Sequence, residues 1–355
     1  MSDSMKISTD DLHSPQVDEY VELQSFLRRD PGPINDRPWI VRVIFANWFY
    51  LALAGGAGGF TGWLILEPFF DDNVVREGEI DLGAALLFPV TAAFVGLFLG
   101  SAEGLICRNP LRALKSSVVS LAVGFIGGLI ALIPTGIVFG IMSGIALSMM
   151  DNPVEGEMPG GMALLILMMG RAAGWSIISI PAGIGQGIAL KEKKVIINGL
   201  VGAMLGGLIG GLLFDPISLV LVSDDGQATY SRAVGLTTVG IFVGLFIGLV
   251  EGWTKTAWVL MQKGPLAGKQ FIIYKDTTVL GSSPKADIYL FKDDAIEPRH
   301  ALIVNRGGRF EIEDCSTPDG TYVNGIPVTH TILQDKDQIV LGKTVLEFSF
   351  KENTN

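Results

Sequence analysis

Two patterns of apolar positions divide the chain. From residue 39 to about residue 260 apolar residues form long runs with few charges, and after Lys263 they form short runs that alternate with polar residues. A helix needs roughly 20 apolar residues to cross a hydrocarbon core about 30 Å thick. Runs at 41–66, 82–106, 118–150, 161–190, 196–222 and 233–260 meet that length. The third contains Pro134. Splitting it there leaves two short pieces with no charged loop between them, so it reads as one kinked or protruding helix. The expected domains are a cytoplasmic polar tail over 1–38, a six-helix transmembrane bundle over 39–262 and a cytoplasmic all-β domain over 263–355. Within the tail, residues 17–29 could form a short amphipathic helix lying on a membrane or a partner, or remain largely disordered.

Composition fits two compartments, lipid and water. Only 17% of the residues are charged and 45 are glycine, whereas soluble domains carry about 25% charged residues and about 7% glycine. A net charge of -10 lacks the basic footprint of a nucleic-acid binder. The first apolar run starts too late for a secretory signal, so the first helix is expected to be an uncleaved span. Loop charges alternate in sign. Arg28, Arg29, Arg37 and Arg42 precede the first run; Arg108, Arg112 and Lys115 follow the second; Lys191, Lys193 and Lys194 follow the fourth; Lys255 and Lys263 close the sixth. The other loops are acidic, with Glu67, Asp71, Asp72, Glu77, Glu79 and Asp81, then Asp151, Glu155 and Glu157, then Asp215, Asp224 and Asp225. Lys and Arg favour the cytoplasmic side, which puts both termini in the cytoplasm of a multi-pass protein of a cell membrane. Cys107 and Cys315 then face a reducing compartment and are expected to be unpaired.

The spans read as three repeated glycine-rich hairpins. The first helix of each carries paired glycines, at 55–56 and 58–59, at 127–128, and at 206–207 and 210–211; in the first and third hairpins it ends in Glu67-Pro68 and Asp215-Pro216. The second helix has glycines every four residues, as at Gly96, Gly100 and Gly104, at Gly183 and Gly187, and from Gly240 to Gly252. "GLFLGSAEG" at 96–104 matches "GLFIGLVEG" at 244–252, and "RAAG" at 171–174 matches "RAVG" at 232–235. Glycines four apart share one helix face and let backbones approach closely. They can pack a bundle within one chain, join a homo-oligomer, or line a narrow pore. Glu103, Arg171, Gln186, Arg232 and Glu251 are the polar groups inside or at the ends of these runs. They can reach headgroup water or form an ion or substrate path.

After Lys263 come "FIIY", "TTVL", "DIYLF", "HALIV", "RFEIE", "TYV", "QIVL" and "TVLEFSF", separated by Gly, Pro, Asn and Asp turns. Many short strands at this spacing predict a β-sandwich or barrel. "VLGSSPKADIYLFKDDAIEPRHALI", then "FEIEDCSTPDGTYVNGIPV", then "LQDKDQIVLG" resemble a forkhead-associated (FHA) domain over about 264–350. The resemblance implies an eleven-strand sandwich of a family that usually binds phosphothreonine peptides. It carries a pocket onto Gly281, Ser282, Ser283, Glu297, Arg299, His300, Asp319, Gly320, Thr321 and Asn324. Gly281 and a structural His300 keep the family pattern. Ser282 stands at the usual arginine, Glu297 at the usual serine and Asp319 at the usual asparagine. A phosphate prefers arginine-type partners, and two carboxylates at its site repel it. A degenerate phosphothreonine site is therefore expected.

No HExxH, GxSxG or P-loop motif is present, and neither an enzyme nor a cofactor is expected. Two functional readings stay open. One is a membrane-anchored adaptor that recruits a cytoplasmic protein through the FHA-like domain; the other is a channel or transporter regulated by that domain.

Overall fold

The structure is a computed structural model that describes residues 39–70, 82–150, 160–221 and 228–351. The expected tail over 1–38, its 17–29 helix and the acidic residues of 71–81, 151–159 and 222–227 lie outside the described residues. The chain separates into two compact units, a helical one over Val43–Lys255 and a β one beginning at Thr256.

Seven α-helices occur among the described residues: α1 (Trp39–Ile44), α2 (Asn47–Leu66), α3 (Leu82–Ile106), α4 (Pro110–Ser148), α5 (Gly161–Leu190), α6 (Lys193–Leu221) and α7 (Thr229–Thr254). Six of them, α2 to α7, are long and apolar enough to cross a membrane. The expected first span, 41–66, is broken at Phe45 and Ala46, because Ala46 takes an extended backbone at φ -70° and ψ 130° and caps α2. The third begins at Pro110 rather than 118, since Asn109 accepts a hydrogen bond from the Arg112 N–H at 3.0 Å and Pro110 needs no partner for the amide it lacks. Pro134 leaves it a single helix of 39 residues, about 58 Å at 1.5 Å per residue. The sixth stops at Thr254, and residues 257–260, expected inside it, form a strand. The boundary expected at 262–263 therefore falls near Thr256.

Each long helix packs on the next, and α7 packs back on α2, so α2 to α7 close a ring; α3 also touches α5. Glycine makes this possible. A Cβ on Gly55 would overlap the Gly240 carbonyl, and one on Gly240 would overlap that of Gly55; Gly183 of α5 and Gly199 of α6 stand in the same reciprocal contact. Leu236, Val239, Val243 and Ile247 of α7 pack with Leu51, Val95, Leu99, Trp175 and Ile178 in the core. Trp175 meets Phe88 edge-on at 5.0 Å and stacks on Phe214 at 6.0 Å.

The α3–α4 and α5–α6 turns are built alike. The Asn109 N–H donates to Gly104 O at 2.8 Å, and the Glu192 N–H to Gly187 O at 3.0 Å. The residue before each donor is left-handed, Arg108 at φ 51° and Lys191 at φ 59°. Glycine is usual there, and a residue such as Arg or Lys costs roughly 1–2 kcal/mol. A Cβ on Gly104 would lie 2.5 Å from the Ala113 nitrogen, and one on Gly187 would lie 2.5 Å from the Ile196 nitrogen.

The β unit is a sandwich of eleven strands. They are β1 (Ala257–Lys263), β2 (Gln270–Ile272), β3 (Thr277–Gly281), β4 (Ile288–Tyr289), β5 (Ala301–Arg306), β6 (Arg309–Asp314), β7 (Thr321–Val323), β8 (Ile326–Val328), β9 (His330–Ile332), β10 (Gln338–Leu341) and β11 (Thr344–Phe350). One sheet runs β2-β1-β11-β10-β7-β8 and the other β4-β3-β5-β6-β9. Alternation buries one face of each; Val259, Met261, Leu280, Ile303, Ile312, Ile339, Leu341 and Phe348 fill the space between. Asn324 and Gly325, both with positive φ, form the tight β7–β8 turn.

Candidate functional site

The loops after β3, before β5 and before β7 meet at one end of the sandwich, and His300 joins them. Its side chain is fully buried. Its Nδ1 accepts from the Glu297 N–H at 3.2 Å, which leaves the proton on Nε2 to donate to Gly320 O at 3.1 Å. Its own N–H donates to Leu280 O at 2.9 Å, and its carbonyl accepts from the Cys315 N–H at 2.9 Å. Gly281 is required by closeness: a Cβ there would overlap the Pro298 carbonyl. The Ser282 N–H then reaches Glu297 O at 2.9 Å.

Gly281, Ser282, Glu297, His300 and Gly320 are thus brought together. Arg299 and Asp319 are exposed. Ser283 holds its own loop, its Oγ accepting from the Lys285 N–H at 3.2 Å. Asn324 serves the far side of its turn instead: Nδ2 donates to Asp337 at 2.7 Å, and Oδ1 accepts from the Gln338 N–H at 2.9 Å. Two residues escaped the sequence reading. Asp314 accepts from Thr321 Oγ1 at 2.7 Å, from Thr317 Oγ1 at 2.9 Å and from the Thr317 N–H at 3.0 Å. Burial alone would raise its carboxyl pKa, but these hydrogen bonds, with one from the Ser316 N–H, hold it below the usual carboxylate range. Thr317 Oγ1 also lies 3.2 Å from His300 Nε2. The Asp-x-x-Thr spacing is the signal that could have found this pair.

His330 lies beside Glu311 and Glu313, with possible ligand atoms within 4.8 Å of one another. Arg306 Nε stands 2.9 Å from Glu311 and Arg309 Nε 3.5 Å from it, so the trio sits in an ion-pair cluster. The hydrogen bond from His330, then that from Arg306, hold the Glu311 carboxyl low.

In the helical unit the charges expected inside the spans are partnered. Arg171 Nη1 lies 2.9 Å from Asp215 Oδ1; the arginine side chain is 27% exposed and the aspartate 0%. Asp215, expected to belong to an acidic loop, is a residue of α6. Arg232 grips Glu67 with Nη2 at 2.7 Å from Oε1 and Nε at 3.1 Å from Oε2. Glu103 accepts from Arg112 Nη2 at 3.3 Å and Gln186 Nε2 at 3.1 Å. Glu251 accepts from Asn47 Nδ2 at 2.9 Å. Cys107 is buried and Cys315 half-buried.

Comparison with known proteins fits the geometry of the β unit. Residues 278–342 match the family model of the FHA domain. An oxoglutarate dehydrogenase inhibitor of Corynebacterium jeikeium is 37% identical over 101 residues, 28% of this chain and 67% of that protein. The glycogen accumulation regulator GarA of Mycolicibacterium smegmatis is 37% identical over 28% of this chain and 61% of its own length. The chain thus spans about two thirds or less of the length of these curated relatives. Among solved structures, the FHA domain of the CT664 protein from Chlamydia trachomatis is 25% identical, covers 27% of this chain and 99% of that one, and has a TM-score of 0.26.

Proposed function

Since its C-terminal domain belongs to the FHA family, we propose that this chain is a membrane-anchored adaptor which recruits a cytoplasmic protein. The six long helices lie in a bilayer as three repeated hairpins, with both termini in the cytoplasm. The single observation that carries the adaptor reading is the pairing of charge inside the bundle. Arg171 with Asp215 and Arg232 with Glu67 neutralise one another, and Glu103 and Glu251 are held by Gln186 and Asn47. Each of these charges has its compensating partner within the bundle, which suits a scaffold. The loop end of the FHA domain is then the functional surface.

Recognition there is phospho-independent. Ser282 is too short to give a phosphate a two-pronged partner, and Glu297 and Asp319 are exposed carboxylates at the rim. A phosphothreonine peptide library, applied to the full chain with and without phosphatase treatment, tests this. No phosphate-dependent binding is expected. Micromolar binding that disappears on dephosphorylation would overturn the degenerate-site reading.

A further inference from the structure

The two matched turns of the helical unit place cations where the backbone favours glycine. In a chain with 45 glycines, the left-handed positions of the α3–α4 and α5–α6 turns are Arg108 and Lys191. Two further parts of the motif are repeated: Gly104 with Gly187, and the same pair of turn hydrogen bonds in each. The strain is therefore accepted twice at equivalent positions, each time with a cation that projects from the turn. Arg108, Lys115, Lys191, Lys193 and Lys194 are exposed. The hydrogen bond from Gln186 to Glu103 brings the ends of α5 and α3 side by side, so the two turns form one basic patch. The acids at this end of the bundle are Glu103, tied to Arg112 and Gln186, Glu251, tied to Asn47, and the half-buried Glu192.

We propose that this patch is a binding surface for the phosphate headgroups of anionic lipids, with Arg108 and Lys191 as its paired contacts. The proposal rests on the reading of α2 to α7 as membrane spans. Clustered cations just beyond a span attract anionic headgroups, each cation contributing about a fivefold change in partition. Turn-borne cations also need no backbone rearrangement to point outward.

The test uses the full chain in neutral detergent with phosphatidylglycerol or phosphatidylcholine added. Retained lipid is counted by mass spectrometry. The comparison is with a double variant, Arg108→Asn with Lys191→Asn, since asparagine tolerates the left-handed backbone. The wild type is expected to retain phosphatidylglycerol preferentially and the double variant to lose that preference by about fivefold or more. The charge-preserving Arg108→Lys with Lys191→Arg should keep it. Equal retention by the asparagine variant overturns the proposal. So does a preference that inorganic phosphate abolishes, which marks a free-anion site. An inverted asparagine variant, read by protease protection in sealed vesicles, also overturns it by assigning the cations to orientation. Release of the wild-type chain from membranes by carbonate marks a distinct failure, that of the membrane reading itself.

Discussion

Arg232 of α7 and Glu67, at the end of α2, are 165 residues apart and meet through two parallel hydrogen bonds. Their contact ties the last long helix to the first and closes the ring. Removing one partner of a buried pair costs about 3–5 kcal/mol, whereas replacing both with apolar residues of similar size is often neutral. Arg232→Met alone should therefore destabilise the bundle, by less than that amount because Glu67 is only half-buried. Arg232→Met with Glu67→Met should recover most of it, as read by unfolding of the purified chain in mixed detergent.

Glycines of the bundle should respond to substitution according to what faces them. Gly240→Ala drives a methyl into the Gly55 carbonyl. Overpacking of that kind costs about 1–3 kcal/mol, and a lower melting temperature is expected. Gly140 of α4 has nothing within 4 Å of the Cβ it lacks. Gly140→Ala should therefore leave stability unchanged or raise it by about 1 kcal/mol through helix propensity.

His300→Ala should loosen the loop end of the FHA domain. It strands the Glu297 N–H and the Gly320 carbonyl, at roughly 1–3 kcal/mol for each buried group left unsatisfied. Urea unfolding should shift to lower denaturant, and proteolysis should begin within 297–320.

Asp314 makes part of this stability depend on pH. Its carboxyl is held below its ordinary value in the folded state. The contribution is therefore complete above the unfolded pKa of about 3.9 and is lost as pH falls through the lower folded value. The stability difference between wild type and Asp314→Asn, from denaturant titrations between neutral pH and pH 3, should narrow toward the acid end. A constant difference across that range would contradict the assignment.

The altered pocket can be reversed. Ser282→Arg with Glu297→Ser and Asp319→Asn restores a cation and removes two negative charges. Phosphothreonine peptides should then bind in the micromolar range by calorimetry, while the wild type shows no phosphate-dependent heat.

Much of this fold is written in short-range pattern. Apolar runs located six helices because lipid-scale length is a one-dimensional signal, and Asn324-Gly325 marked its turn because φ is a local property. Strand β1 was hidden because "AWVL" continues an apolar run, and only its pairing with β11 and β2 separates it from a helix. Arg171 and Arg232 were visible as charges, but Asp215 and Glu67 as their partners were not, since those contacts depend on which helices become neighbours. For the same reason Asn324 could be aligned with the pocket yet face Asp337 instead.

The ring has unequal seams. At the end remote from the matched turns, α7 is riveted to α2 by Arg232 and Glu67, and α5 to α6 by Arg171 and Asp215. Sequence offset places Ala84 of α3 where those arginines stand, twelve residues before the matching glycine, and α4 contains no aspartate or glutamate. The α3–α4 seam is therefore zipped there by Gly124, Gly128 and their small neighbours Ala92 and Ala93 instead of by charge. A closed hoop with two rivets and one zip does not part evenly. Thermal breathing should run out along α4, which makes the longest helix the loose end of the scaffold and leaves the two riveted seams as its fixed frame.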